Sequence, residues 1–118
     1  MSSTHELRAE ARIAVTHRGN LSAGHEWFPC MVLDMSRSGF LMVSNRQLDV
    51  GQILDFRCEL YPGEVLDCMI EVMHSQNDTA GMMITEIDDK ATWLLRAYLE
   101  EQSARVENSP KAPPSEPQ

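Results

Sequence analysis

Two short segments near the start of the chain hold residues whose types and spacing suit recognition of a small anion. Arg8 and Arg12 stand four apart in Arg-Ala-Glu-Ala-Arg. A guanidinium presents five donors in a rigid fork that pairs two-pronged with phosphate oxygens or with the O6 and N7 edge of guanine. One residue type thus serves both halves of a guanine nucleotide. The second segment is Asp34-Met35-Ser36-Arg37-Ser38-Gly39. An ionised Asp accepts hydrogen bonds from the N1 and N2 donors of guanine, Ser binds phosphate or caps a turn, and Gly allows a close backbone approach. Each segment also has an ordinary reading. The first fits a solvated helical turn beside Glu6 and Glu10, and the second has the composition that any hairpin turn favours.

Other chemistries lack their residues. Neither His5-Glu6 nor His25-Glu26 is followed by the second His of an HExxH zinc site, and no CxxC is present. Ser36 has no GxSxG elbow around it, and the chain contains neither a Walker loop nor a Gly-x-Gly-x-x-Gly fingerprint. No catalytic residue, metal site or cofactor is therefore expected, and the chain reads as a binding protein rather than an enzyme. The formal net charge of −8 argues against a nucleic-acid polymer as partner, which requires an extended basic surface. The charge is uneven, however. Residues 1–46 hold five arginines against four acids, and residues 47–118 hold five basic residues against fourteen acids, so a small anionic ligand fits the N-terminal third.

These residues need elements to position them. Leu54, Phe56, Cys58 and Leu60 alternate with polar residues, as do Leu66, Cys68, Ile70 and Val72 with Asp67, Met69, Glu71 and Met73, and Pro62-Gly63 between the two runs has hairpin chemistry. Further strands are expected at Arg12 to His17, Phe28 to Asp34, Phe40 to Ser44 and Ala80 to Glu86, each bounded by Gly, Asn, Ser or Asp. Ala91, Leu94, Leu95, Tyr98 and Leu99 form the stripe of a helix over about 89–103, with Asp88 and Asp89 placed to hold its first turn. Six short strands without intervening helices predict an antiparallel sheet curled into a barrel, with the helix covering an end or face. The Asp34 turn then projects from a sheet end.

At 118 residues, 42% of them apolar, the chain suits one domain with a real core. Its longest apolar runs fall far short of a bilayer span, and the N-terminus shows no secretory leader, so a cytoplasmic location is the default. Cys30, Cys58 and Cys68 are odd in number and widely spaced, which predicts reduced, half-buried thiols. The final Ser109 to Gln118 segment carries four prolines in ten residues and is expected to be disordered.

Together, RxxxR and a DxSxxG that begins 22 residues after Arg12 resemble the signature of the PilZ domain family, receptors for cyclic di-GMP. The resemblance runs from Arg8 to about Leu99. It includes the Leu48-Asp49-Val50-Gly51 strand lead-in, the strand pair around Pro62-Gly63, and Gly81-Met82-Met83-Ile84, which is similar to the family's Gly-x-x-aromatic strand with Ile84 where Phe is usual. It implies a mainly β fold, a six-stranded antiparallel PilZ-type β-barrel with a C-terminal α-helix, in agreement with the elements above. Residues 1–12 would be a flexible arm carrying RxxxR, 12–104 the barrel and helix, and 105–118 the Pro-rich tail. The resemblance assigns Arg8 and Arg12 to the bases and phosphates of cyclic di-GMP, with Asp34, Ser36 and Gly39 lining the opposing side. Arg37 and His74 are secondary candidates, the latter as a flat ring for a guanine to stack on. Leu7 stands where some relatives have a third Arg, which leans toward one ligand per chain. The implied function is a bacterial second-messenger receptor, without catalysis, whose arm folds over the ligand and signals to an unidentified downstream protein. The alternative is a nucleotide-independent adaptor with the same fold, serving pilus or motility machinery.

Overall fold

The computed structural model describes residues 11–108. Six strands follow one another along the chain: β1 (Ile13–Ser22), β2 (Trp27–Met35), β3 (Gly39–Ser44), β4 (Ile53–Tyr61), β5 (Glu64–Gln76) and β6 (Thr79–Glu86). A helix, α1 (Asp89–Asn108), ends the described part. All neighbouring strands are antiparallel, and they close into a barrel in the order β1-β2-β3-β6-β5-β4. The six-stranded barrel with a C-terminal helix is the architecture expected from the sequence.

Alternation decides which side of each strand faces inward. Leu54, Phe56, Cys58 and Leu60 of β4 and Leu66, Cys68, Ile70 and Val72 of β5 are all buried, as period two requires. They meet Val32, Met35, Phe40 and Met42 from β2 and β3 in one continuous core. Removing each of the Leu, Ile, Val, Phe and Met side chains from water stabilises the fold by roughly 1.5–3 kcal/mol. At the tip of the β4–β5 hairpin Gly63 takes φ 80°, a value open to glycine at no steric cost, and its N–H donates to Glu59.

Ala91, Leu94, Leu95, Tyr98 and Leu99 are the buried stripe of α1, which packs on β1 and β5. Of the two acids before the helix, Asp88 is the cap: its Oδ1 accepts from the Ala91 N–H at 2.7 Å. Tyr98 sets its ring edge-on against His17 and Tyr61, and the Tyr61 hydroxyl donates to Glu101, so the helix is tied to β1 and β4. The helix continues to Asn108, past the expected end at 103, with Arg105 beside Glu101 one turn earlier. Residues 109–118, where the Pro-rich tail was expected to be disordered, lie outside the described residues.

One expectation changes. β1 does not stop at His17 but runs through Gly19 and Asn20 to Ser22, and Asn20 to Ser22 pair with β4 to close the barrel. Gly19 is a packing glycine: a Cβ there would lie 2.9 Å from Phe56 and 3.2 Å from the Arg57 carbonyl. The Leu48–Gly51 segment leads into β4 as expected, with Leu48 buried in the core, a turn at Val50–Gly51, and the Gly51 N–H donating to the Val72 carbonyl.

All three cysteines are free and buried more deeply than the half-burial expected. Loss of water around the sulfur pushes each thiol up to about 12. At pH 8 only about one thiol in 10,000 is then ionised, and the thiolate is the reactive form. Iodoacetamide at pH 8 is expected to leave all three cysteines unmodified in the native protein and to label them fully in denaturant; rapid labelling of the native chain, read by mass spectrometry, would contradict this packing.

Candidate ligand-binding site

The Asp34–Gly39 segment joins β2 to β3 in a tight turn. The Ser36 N–H donates to the Gly39 carbonyl at 2.9 Å, and the Ser36 hydroxyl oxygen accepts from the N–H groups of Ser38 and Gly39. Ser36 is fully buried. Of the two roles its residue type allows, phosphate contact or turn cap, the geometry has the cap. Gly39 permits a close approach, and what approaches is the protein itself: a Cβ on residue 39 would sit 2.1 Å from the Met82 carbonyl oxygen of β6. From the other side the Ile84 N–H donates to the Ser38 carbonyl at 2.7 Å. The half-buried Ile84 side chain packs against the core at the position where the aromatic residue was expected.

Asp34 leaves this turn toward the outer surface. Val32 points into the barrel, and strict alternation would send Asp34 the same way. A β-bulge between Val32 and Asp34 reverses it. There Arg12, just before β1, donates from Nη2 to Asp34 Oδ1 at 2.7 Å, with about half the Arg12 side chain exposed and the Asp34 side chain 21% exposed. The two motifs are thus in direct contact across 22 residues of sequence. Arg8 lies outside the described residues.

His74 is re-aimed by the same device. A bulge between Val72 and His74 turns it outward, opposite Gly81 on β6, and its imidazole lies where a Cβ on residue 81 would be, 2.0 Å from Nε2. Pairing places Asp34 opposite Leu41, Leu41 opposite Gly81, and Gly81 opposite His74. One row on the outer face of four adjacent strands therefore carries a carboxylate at one end and a flat ring at the other, three strand spacings or roughly 14 Å apart. Arg37, at the tip of the turn, is exposed and has no ion-pair partner among the described residues. No group of His, Cys, Asp and Glu able to hold a metal occurs among the described residues. None of the described helices is long and apolar enough to cross a membrane.

Sequence reasoning placed Asp34, Ser36 and Gly39 in one turn but missed the row through Leu41 and Gly81, which exists only once β3 and β6 pair. It did not single out Arg96 of α1, which lines two clefts together with Arg37. The signal for Arg96 was its place off the apolar stripe, on the flank left open to solvent.

Residues 6–101 match the model of the PilZ domain. The chain belongs to the PilZ domain family. Solved structures agree in fold. The motility inhibitor MotI/DgrA of Bacillus subtilis superposes with a TM-score of 0.71 at 15% identity, over 81% of this chain and 50% of that one. The PilZ domain of Escherichia coli YcgR, solved with c-di-GMP, gives 0.65 at 13% identity over 83% and 94%. The PilZ domain of CeSA from a cellulose-synthesizing bacterium gives 0.61 at 17% over 76% and 98%. This chain thus spans half the length of the motility inhibitor. A search of curated proteins gives no match.

The turn separates residues that shape the site from residues that present to solvent. Ser36→Ala leaves the buried Gly39 N–H without its acceptor and is expected to lower unfolding free energy by about 1–3 kcal/mol. Asp34→Ala removes only a partly exposed pair and is expected to cost under about 1 kcal/mol. Urea unfolding of both variants measures this, and a larger loss for Asp34→Ala than for Ser36→Ala would reverse the assignment.

Proposed function

We propose that this PilZ domain protein is a receptor for cyclic di-GMP that signals by a change of shape to a partner protein, without catalysis. The observation that carries the reading is the contact between Arg12 and Asp34 on the outer face of the barrel, which unites the two motifs at one place. The c-di-GMP-bound PilZ domain of YcgR, similar in fold, supports the ligand class. In this reading Arg12 and Arg8 hold phosphates and guanine edges, and Asp34 accepts from guanine N1 and N2. Ser36 and Gly39 hold the turn in shape, and His74 offers its ring face at the far end of the row. The nucleotide-independent adaptor is disfavoured by the intact RxxxR and DxSxxG, since a chain that did not use the ligand would have no need of both motifs.

Charge-assisted hydrogen bonds are worth roughly 1.5–3 kcal/mol. Arg12→Ala and Arg8→Ala are each expected to weaken cyclic di-GMP binding by at least about tenfold in calorimetric titration, with the barrel still folded. Wild-type affinity in both variants would refute the site. Binding is also expected to weaken with salt far less steeply than for a duplex-binding protein, since the ligand carries two phosphates.

Base discrimination tests Asp34 separately. Adenine has an acceptor at N1 and no amine at C2, so the carboxylate meets repulsion and loses its donors. An unpaired buried or charged group costs about 1–3 kcal/mol or more, so cyclic di-AMP is expected to bind about a hundredfold more weakly. Asp34→Ala should narrow that gap. Competition among cyclic di-GMP, cyclic di-AMP and the mixed dinucleotide reads it, and equal wild-type affinity for all three would show that Asp34 does not read the base.

A further inference from the structure

Seven arginines lie among the described residues, and four are paired with carboxylates: Arg12 with Asp34, Arg46 with Glu26, Arg57 with Asp67 and Arg105 with Glu101. Arg18, Arg37 and Arg96 have no such partner among the described residues. Two of these three come together. Arg37 from the tip of the β2–β3 turn and Arg96 from the solvent flank of α1 both line two adjoining clefts in the seam between turn and helix. One cleft, of about 190 Å³, has Ile13 and Leu99 in its wall, and the other, of about 250 Å³, has Ile87 and Leu95. Glu100 also borders the first cleft, yet it is not within ion-pair distance of either arginine.

The described residues include many carboxylates, yet none of them pairs with either of these two neighbouring cations. Their mutual repulsion is relieved by an anion placed between them. The apolar walls lower the local dielectric and strengthen that attraction, and they suit the carbon faces of a sugar. Two forked donors over such walls fit a phosphodiester rather than a lone inorganic ion.

We propose that this seam is a phosphodiester-binding site, with Arg37 and Arg96 as its donors, for a cyclic dinucleotide. It rests on the functional reading above and extends it to a residue on the helix. Asp34 and Arg37 belong to one turn braced by the Ser36 hydroxyl, with Asp34 directed to the outer face and Arg37 to the seam. An anion held by Arg96 joins α1 to that turn, so the helix senses the ligand by contact. The phosphodiester belongs either to the molecule that reaches Asp34 or to a second molecule, and stoichiometry separates these sources. Trp93 is 70% exposed and borders a further cleft together with Arg96, which makes its emission a local reporter.

The test is calorimetric titration of the full chain with cyclic di-GMP, for wild type, Arg37→Ala, Arg96→Ala and Arg96→Lys. Trp93 emission is followed alongside in a Trp27→Phe background. Loss of about tenfold in affinity at unchanged stoichiometry in both alanine variants supports one molecule spanning turn and seam. A fall from two equivalents to one supports a second molecule in the seam. Arg96→Lys, which keeps charge without the fork, is expected to retain part of the binding. Ligand should shift Trp93 emission in the wild type and not in Arg96→Ala, while the unliganded melting temperature of Arg96→Ala stays at the wild-type value. Wild-type affinity, stoichiometry and Trp93 response in both alanine variants would overturn the proposal. If Arg12→Ala loses binding and Arg96→Ala does not, the seam alone is refuted. If the wild type does not bind cyclic di-GMP at all, the receptor reading and the seam fall together.

Discussion

The site depends on how closely β3 can lie against β6 at the point where the chain enters β3. The Met82 carbonyl occupies the space that a side chain on residue 39 would need, so any residue but glycine forces these strands apart. That contact matters more than a single clash would elsewhere. β3 and β6 are distant in sequence, and their pairing is one of the two non-sequential joins that close the barrel, the other being β1 with β4. Once Gly39 is seated, the Ile84 N–H reaches the Ser38 carbonyl, and the Ser36 hydroxyl satisfies the N–H groups of Ser38 and Gly39. The turn is then held by its own side chain and by a strand from the other end of the domain. Asp34 and Arg37 inherit their positions from that fixed backbone.

Much of the architecture was legible because it rests on periodicity. The alternation of Leu54 to Leu60 and of Leu66 to Val72, the Pro62-Gly63 turn and the Ala91-Leu94-Leu95-Tyr98-Leu99 stripe each require only local geometry, and each stands where its spacing places it. The length of β1 was not legible. Gly19 and Asn20 have the composition of a turn, yet Gly19 is there because Phe56 and the Arg57 carbonyl lie too close for a side chain, a fact about β4 rather than about β1. A glycine demanded by a distant neighbour looks in sequence like a glycine demanded by a positive φ.

The candidate site was legible in its residue types and not in its directions. By alternation Asp34 shares a face with Val32, and His74 shares one with Val72, which would bury both polar side chains among apolar ones. Two bulges turn them outward, and both lie at shifts in strand register that no pattern of hydrophobicity marks. An extra residue in one strand also sharpens the local twist, so the same irregularity that exposes Asp34 tilts β2 against β3 at the start of the turn. Register also shifts between Ala14 and His17, Glu59 and Tyr61, and Met69 and Ile70, but the shifts at Asp34 and His74 are the ones that flank the row across Leu41 and Gly81.

The Arg12–Asp34 pair gives this surface a resting state suited to exchange. Among the described residues one of the five guanidinium donors is engaged, through Nη2, and it is received by Oδ1 of the carboxylate. A pair this exposed contributes at most about 1 kcal/mol, so separating it is a small cost for an incoming ligand. Yet the pair compensates both charges, which an isolated half-buried carboxylate would not manage without cost. In the receptor function proposed above, a dinucleotide offers each member a replacement of the same kind: base N–H donors for Asp34 and a phosphate oxygen for Arg12. The exchange conserves charge-assisted hydrogen bonds, and what changes is the path of the chain, because Arg12 is where the N-terminal segment joins the barrel. Under that proposal, coupling between ligand and shape needs no rearrangement of the core, only a choice by one arginine between an internal carboxylate and an external phosphate.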